Sequence, residues 1–240
     1  MQQPSGVAVE QARAETGIHV AIAQLIQAVR ADLDVHPGAI WTLMTAAALK
    51  LPAVDYAGIM LVEQDDSIRT LSSTDAHLRL LDHVQQRHRE GSGLEPACEQ
   101  QARRVDDLTG ESRWPTFRDE AVTMTPIRSI LSVPLFPHHH CRTALNLYAD
   151  RPSAFGAEGE LMGLAFASDA QAVIEIGRRE RRYRKAITNR DLIGQAKGIL
   201  MERFAIDPVT AFSLLAQLSK DRRQPVSAVA RTLVSKRSEA

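Results

Sequence analysis

Cysteine is scarce in this chain. Cys98 and Cys141 are the only two among 240 residues, too few for a disulfide framework. Long apolar runs are missing too. The most apolar stretch, Ile40 to Leu49, contains two threonines, stops at Lys50 and is far short of the roughly 20 residues a membrane-spanning helix needs. No basic segment followed by an apolar core opens the sequence, so no secretory signal is visible. Internal repeats and low-complexity tracts are absent. So are a Ser-His-Asp set, a phosphate-binding loop and a paired-carboxylate site. Gly91-Ser92-Gly93 is too short to cradle a phosphate and reads as a helix stop. These absences lead to the expectation of a cytoplasmic protein that is not an enzyme, has no membrane segment and needs no cofactor.

What is present is an ordinary globular composition, 44% hydrophobic and 24% charged. It suffices for one larger domain and one small one. The formal net charge is zero, but it is unevenly distributed. From Arg178 onward the chain carries 15 basic against 6 acidic residues, leaving 14 basic and 23 acidic before it. A basic tail behind an acidic front suggests that the tail meets a polyanion.

The fold class expected is α+β. Residues 1–17 read as a flexible N-terminus. From Ile18, apolar residues at Ile22, Leu25, Ile26 and Val29 keep a helical period, and a second helix covers about Ala39 to Leu49. The period then shortens. Tyr56 to Val62 and Ile68 to Thr74 read as antiparallel strands. Leu78 to Arg89 reads as a helix, and Cys98 to Arg104 as another short one. Glu111 to Phe117 forms a loop before a short helix. Ile130 to Phe136 is a strand in which Pro134 points to an edge or a bulge. Pro137-His138-His139-His140 is the turn, and Thr143 to Ala149 the return strand. A long helix starts near Ala157 and continues through a basic stretch, 177–188, that reads as a helical connector.

The stretch from Ile187 to Ala230 carries the chemistry. At about 100° per residue, Leu192, Ile193, Ala196, Ile199, Leu200 and Phe204 share one side of a helix. Arg190, Gly194, Lys197, Gly198 and Met201 lie on the other. Two glycines inside a helix cost about 1 kcal/mol each relative to alanine. Either a helix packs closely over them, or a ligand backbone lies in the shallow strip they leave, beside the cations of Arg190 and Lys197. Asp207 as N-cap and Pro208 at the first position start a second helix, with Ala211, Phe212, Leu215 and Leu218 as its buried stripe. A third helix holds Val226, Val229, Ala230, Leu233 and Val234.

The combination Ala196-Lys197-Gly198-Ile199-Leu200-Met201 with Arg190, Ile193, Ala211-Phe212, Leu215, Ser219 and Val229-Ala230 resembles the ANTAR domain, a three-helix module placed here at 189–240. The resemblance implies binding of nascent RNA that folds two small stem-loops, so that a competing terminator hairpin cannot form. It also implies a homodimer, one module per stem-loop. The expected contacts with RNA are Arg190, Gly194, Lys197, Gly198 and Met201. Where that family often has Asn-x-Lys-Leu before its third helix, this chain has Arg223-Gln224-Pro225-Val226, so the contacts of such an Asn or Lys do not carry over; Arg222 and Arg223 match them in charge but not in geometry.

The front part, 18–176, resembles the GAF domains that precede ANTAR domains in actinobacterial regulators. The residues that carry this likeness are Arg113-Trp114-Pro115-x-Phe117, Arg128-Ser129-x-Leu131-Ser132-x-Pro134-Leu135, Ala144 to Ala149 and Phe155. That resemblance implies an antiparallel sheet with flanking helices, a sensing role and an unidentified small-molecule ligand. Three weaker signals have plain readings. His138 to Cys141 reads as a solvated turn rather than a metal site, because neighbouring side chains on a tight turn diverge. Cys98 reads as an ordinary thiol. Trp114 and Phe117 read as core rather than cavity lining. Two rival functions stand beside RNA binding: a DNA-binding regulator whose third helix reads the duplex, and a ligand sensor whose tail only dimerises.

Overall fold

The computed structural model describes residues 6–31, 37–94, 101–135 and 142–238. Cys98, the turn through His138–His140 and Cys141 lie outside them. The chain divides into two compact units, Met1–Gly177 and Arg178–Ala240.

The first unit is built on a five-stranded sheet among the described residues, every adjacent pair antiparallel. Helices α1 (Gly6–Ala31) and α2 (Pro37–Ala48) precede β1 (Tyr56–Val62) and β2 (Ile68–Ser73). Then come α3 (Ala76–His88), β3 (Arg103–Val105), a 3₁₀ turn at Leu108–Gly110, α4 (Pro115–Met124), β4 (Ser129–Leu135) and β5 (Arg142–Ala149). The spatial order is β2-β1-β5-β4-β3. Helix α5 (Ala157–Phe204) comes after β5, and the boundary between the units falls within it.

Both faces of the sheet are covered, which explains why β5 is buried almost throughout rather than on alternate residues. On one face Leu145, Leu147 and Ala149 join residues of α1, α2 and α5, among them Leu25, Met44, Phe166 and Ala170. Gly163 lets α5 come close: a Cβ there would sit 2.8 Å from Leu131 Cδ2. On the other face Tyr148 and Ile130 pack with Leu78, Leu81 and Val84 of α3 and with Phe117 and Ala121 of α4. Trp114 and Phe117 are buried there as core, with the Arg113 guanidinium stacked 4.4 Å from the Trp114 ring.

A polar seam runs through this second face. Buried Asp82 accepts from the Thr70 hydroxyl at 2.6 Å and from Gln85 Nε2 at 3.4 Å. Gln85 Oε1 accepts from the backbone N–H of Gly93 at 3.0 Å. Asn146 is buried, and its Oδ1 finds no partner among the described residues. Burial of Asp82 pushes its carboxyl up to about 6, against the opposing effect of the Thr70 hydrogen bond.

The structure departs from the sequence expectations in three places. Helix α1 begins at Gly6 instead of Ile18; the stretch from Val7 to Thr16 holds no proline and several alanines, so nothing stops the helix. The short helix expected over Cys98–Arg104 is not the conformation of its last residues, since Arg103 and Arg104 lie in β3, paired with Ser132 and Leu131. Only three residues long, β3 carries no periodicity to read. Pro134 sits in an inner strand, yet β3 pairs only as far as Ser132. The missing N–H of Pro134 therefore faces no ladder partner on that side.

The second unit contains the end of α5, α6 (Pro208–Arg222) and α7 (Val226–Ser238). Ala196 and Leu200 of α5, Ala211 and Leu215 of α6, and Val229 and Ala230 of α7 form its core, with Leu192, Ile193, Met201, Leu218 and Leu233 at the margin. Asp207 caps α6, accepting from the backbone N–H groups of Val209 and Thr210 at 2.8 and 3.1 Å. These bonds, and above all the one from the Thr210 hydroxyl, hold its carboxyl below the usual range. Arg223 ends α6 with φ 51°, a left-handed cap. Pro225 then starts α7, its carbonyl accepting from Ala228 and Val229, so the helix entry forms despite the Arg223-Gln224-Pro225 sequence.

Candidate nucleic-acid interface

The helix containing Lys197 is amphipathic in an unusual way. One side supplies Ala196 and Leu200 to the bundle core. The other side carries Gly194 and Gly198, both exposed. A Cβ built on either glycine would meet nothing within 4 Å. Among the described residues no helix packs over them, so the first of the two readings of these glycines fails. Their absent side chains leave bare backbone facing open space.

Around Gly194 the surface is concave. Arg190, Asp191, Ile193, Gly194, Gln195, Lys197 and Phe212 line an open groove of about 600 Å³. Arg190 and Lys197 stand two helical turns apart, roughly 10 Å along the axis at 1.5 Å per residue, with Gly194 between them. Arg190 is exposed and Lys197 half-buried. Two cations beside bare backbone suit a phosphate-bearing ligand.

Of the five residues expected at the interface, the groove brings together Arg190, Gly194 and Lys197. Gly198 is open but not part of the groove wall. Met201 is half-buried and packs at the margin of the core. It lies close in angle to Arg190 on the helix, but three turns further on, where α6 and α7 close in.

Phe212, expected in the buried stripe of α6, is 46% exposed and lines the groove. Ala211 and Leu215 fill the α6 side of the core, with Leu218 at its margin; Phe212, one residue and about 100° round from Ala211, falls at the rim. Phe204 likewise leaves the expected apolar side. Helix α5 ends there, Ala205 turns left-handed at φ 49°, and the ring stays exposed, 5.9 Å from the Arg203 guanidinium. The spacing of Phe212 from Ala211 and Leu215 does not by itself separate a rim position from a core one.

Among the described residues, no group of three or more His, Cys, Asp or Glu side chains is placed to hold a metal ion. No described helix is long and apolar enough to cross a membrane.

The second unit is thus a three-helix module with a cation-flanked groove floored by helix backbone. Residues 181–234 match the ANTAR domain, and the chain carries that domain behind its sheet-containing unit. None of the curated proteins matches the chain. Among solved structures it is similar to the GAF domain region of a Geobacter sulfurreducens protein, with 17% identity over 63% of this chain and 98% of that one, TM-score 0.48. It is also similar to the GAF domain of an Acinetobacter phosphoenolpyruvate-protein phosphotransferase, with 13% identity over 66% and 93%, TM-score 0.45. Free methionine-R-sulfoxide reductase from Neisseria meningitidis is similar at 14% identity over 68% and 91%, TM-score 0.49. The strand order β2-β1-β5-β4-β3 and its antiparallel register, rather than these likenesses, define the first unit. It is an antiparallel sheet flanked by helices, the architecture the GAF resemblance implies.

Proposed function

We propose that the protein is an RNA-binding transcription antitermination regulator. Its C-terminal module holds paired stem-loops in a nascent transcript, and the N-terminal unit receives a signal from an unidentified small molecule. RNA held in the two stem-loops cannot refold into the terminator hairpin, so transcription continues. The observation that carries this reading is the strip at Gly194 and Gly198: two glycines that cost helix stability, open to solvent, with Arg190 and Lys197 alongside. Phosphate neutralisation by such cations supplies affinity, and unpaired loop bases supply specificity.

The duplex-reading alternative finds little support in α7. Arg231 is exposed, but Ser227 and Ala228 beside it are half-buried, a poor set for reading base edges. The second alternative, a tail that only dimerises, would leave the groove without a ligand.

Filter binding of the full chain to a transcript carrying two stem-loops, with duplex DNA as competitor, tests the proposal. Lys197→Ala should weaken RNA binding and flatten the dependence of log affinity on log salt by about one contact, with helix content unchanged by circular dichroism. Unchanged affinity in that variant, or equal competition by duplex DNA, would overturn it.

A further inference from the structure

The groove holds more than phosphate chemistry. Asp191 lines it as well as Arg190 and Lys197, and among the described residues no ion pair joins Asp191 to either cation. A carboxylate in a site that binds only phosphate lowers affinity. It belongs in a site that also receives hydrogen-bond donors. Phe212 adds an exposed ring on the α6 side, and stacking on an aromatic face is how single-stranded bases are commonly held. At about 600 Å³ the groove is well within the range of small-ligand sites, about 300–1,000 Å³, so it has room for one extruded nucleotide.

We infer that this groove takes a single unpaired guanine, stacked on Phe212, with its base edge read by Asp191 and its phosphates held by Arg190 and Lys197. A carboxylate accepts hydrogen bonds and donates none when ionised. Guanine presents two adjacent donors on its pairing edge, the ring N–H and the exocyclic amino group, and these match the two carboxylate oxygens. Uracil offers one donor there, and adenine and cytosine offer only an amino group beside an acceptor that the carboxylate repels. Those donors are free only in a loop, so the same geometry rejects duplex RNA. The inference rests on the RNA-binding reading and names the part of the RNA that enters the groove.

The sign of one substitution separates it from plain electrostatics. Asp191→Asn removes a negative charge, which strengthens binding to any RNA if phosphate attraction is all that matters. If Asp191 reads guanine, the same substitution weakens binding to the preferred loop, because the new amide donor opposes a base donor. The full-length protein is used to enrich a pool of hairpin RNAs with one fixed stem and a randomised loop, and the enriched loops are compared with the fully paired stem. Enriched loops should share one guanine. Replacing that guanine with inosine, which lacks the amino group, should weaken the unmodified protein but not Asp191→Asn. Phe212→Leu should lose about tenfold in affinity for the same hairpin, with an unchanged melting temperature because the ring is at the rim. If hairpins are enriched but share no guanine, or if Asp191→Asn binds the chosen loop as well or better, the guanine assignment fails and RNA binding stands. If no hairpin is preferred over the duplex, the RNA-binding reading fails and takes the assignment with it.

Discussion

Lys197 on α5 and Phe212 on α6 line the same groove, although the turn through Ala205 lies between them. One brings a cation on a half-buried side chain, the other a ring left exposed at the rim of the core. Their meeting depends on three things: the core that Ala196 and Ala211 share, the cap at Asp207, and the bare backbone at Gly194 that keeps the groove from filling.

Gly194→Ala and Gly198→Ala should each stabilise the C-terminal unit by about 1 kcal/mol, because alanine is the better helix former and each new methyl points into open space. RNA affinity should move the other way, most at Gly194, which floors the groove. Thermal melting and anisotropy titration of the same variants check both halves. A stabilised Gly194→Ala protein that binds RNA normally would show that the bare backbone serves no ligand.

Tyr183 and Ile187 lie one turn apart on α5, 58% and 62% exposed. We expect this strip to pair with a second copy of the chain, one module for each stem-loop. The double substitution Tyr183→Glu, Ile187→Glu places like charges on that strip. It should shift sedimentation toward the monomer and reduce affinity for a two-hairpin transcript far more than for one hairpin, since linked sites gain from effective concentration. Sedimentation equilibrium unchanged by the double substitution would exclude this strip as the contact.

Asp82 makes stability depend on pH in a defined window. In the unfolded chain its carboxyl ionises near 3.9, whereas in the folded protein burial pushes it up to about 6. Below pH 4 it is protonated in both states and has no effect. Between pH 4 and 6 only the unfolded chain ionises, so stability falls as pH rises. Above 6 the full cost is in place, on the order of 2–3 kcal/mol at about 1.4 kcal/mol per pKa unit. Asp82→Asn keeps an acceptor for the Thr70 hydroxyl and removes the ionisation. Urea unfolding should therefore show a stability gain at pH 7 that vanishes at pH 4. Parallel pH profiles for the two proteins would contradict the assigned burial effect.

Much of the sheet is legible in the sequence because its strands are long enough to show their pattern. The run Tyr56 to Val62 matches β1 to its ends, and the runs for β2, β4 and β5 match to within a residue or so. Strand β3 is not legible: three residues, two of them arginine, owe their conformation to pairing with β4 and not to their own pattern. In the C-terminal unit, spacing places Arg190, Gly194 and Lys197 on one side of the helix, and the structure gathers them in one groove. Spacing does not say that Phe212 joins them. An apolar residue next to a buried alanine reads as core from sequence, and only the width of the bundle decides whether there is room for it. Asp191 escapes notice for a similar reason, since one acid among cations reads as an ordinary helical surface until the groove is seen to include it.

The turn between α5 and α6 is Ala205, Ile206 and Asp207, with the first left-handed and the last serving as the cap. It acts as a ruler. Each residue added to or removed from the first turn of α6 would rotate the remainder of that helix by about 100°, swinging the aromatic ring off the rim and Ala211 out of the core together. This corner of the molecule can therefore trade one side chain for another, but it has almost no freedom to change its length.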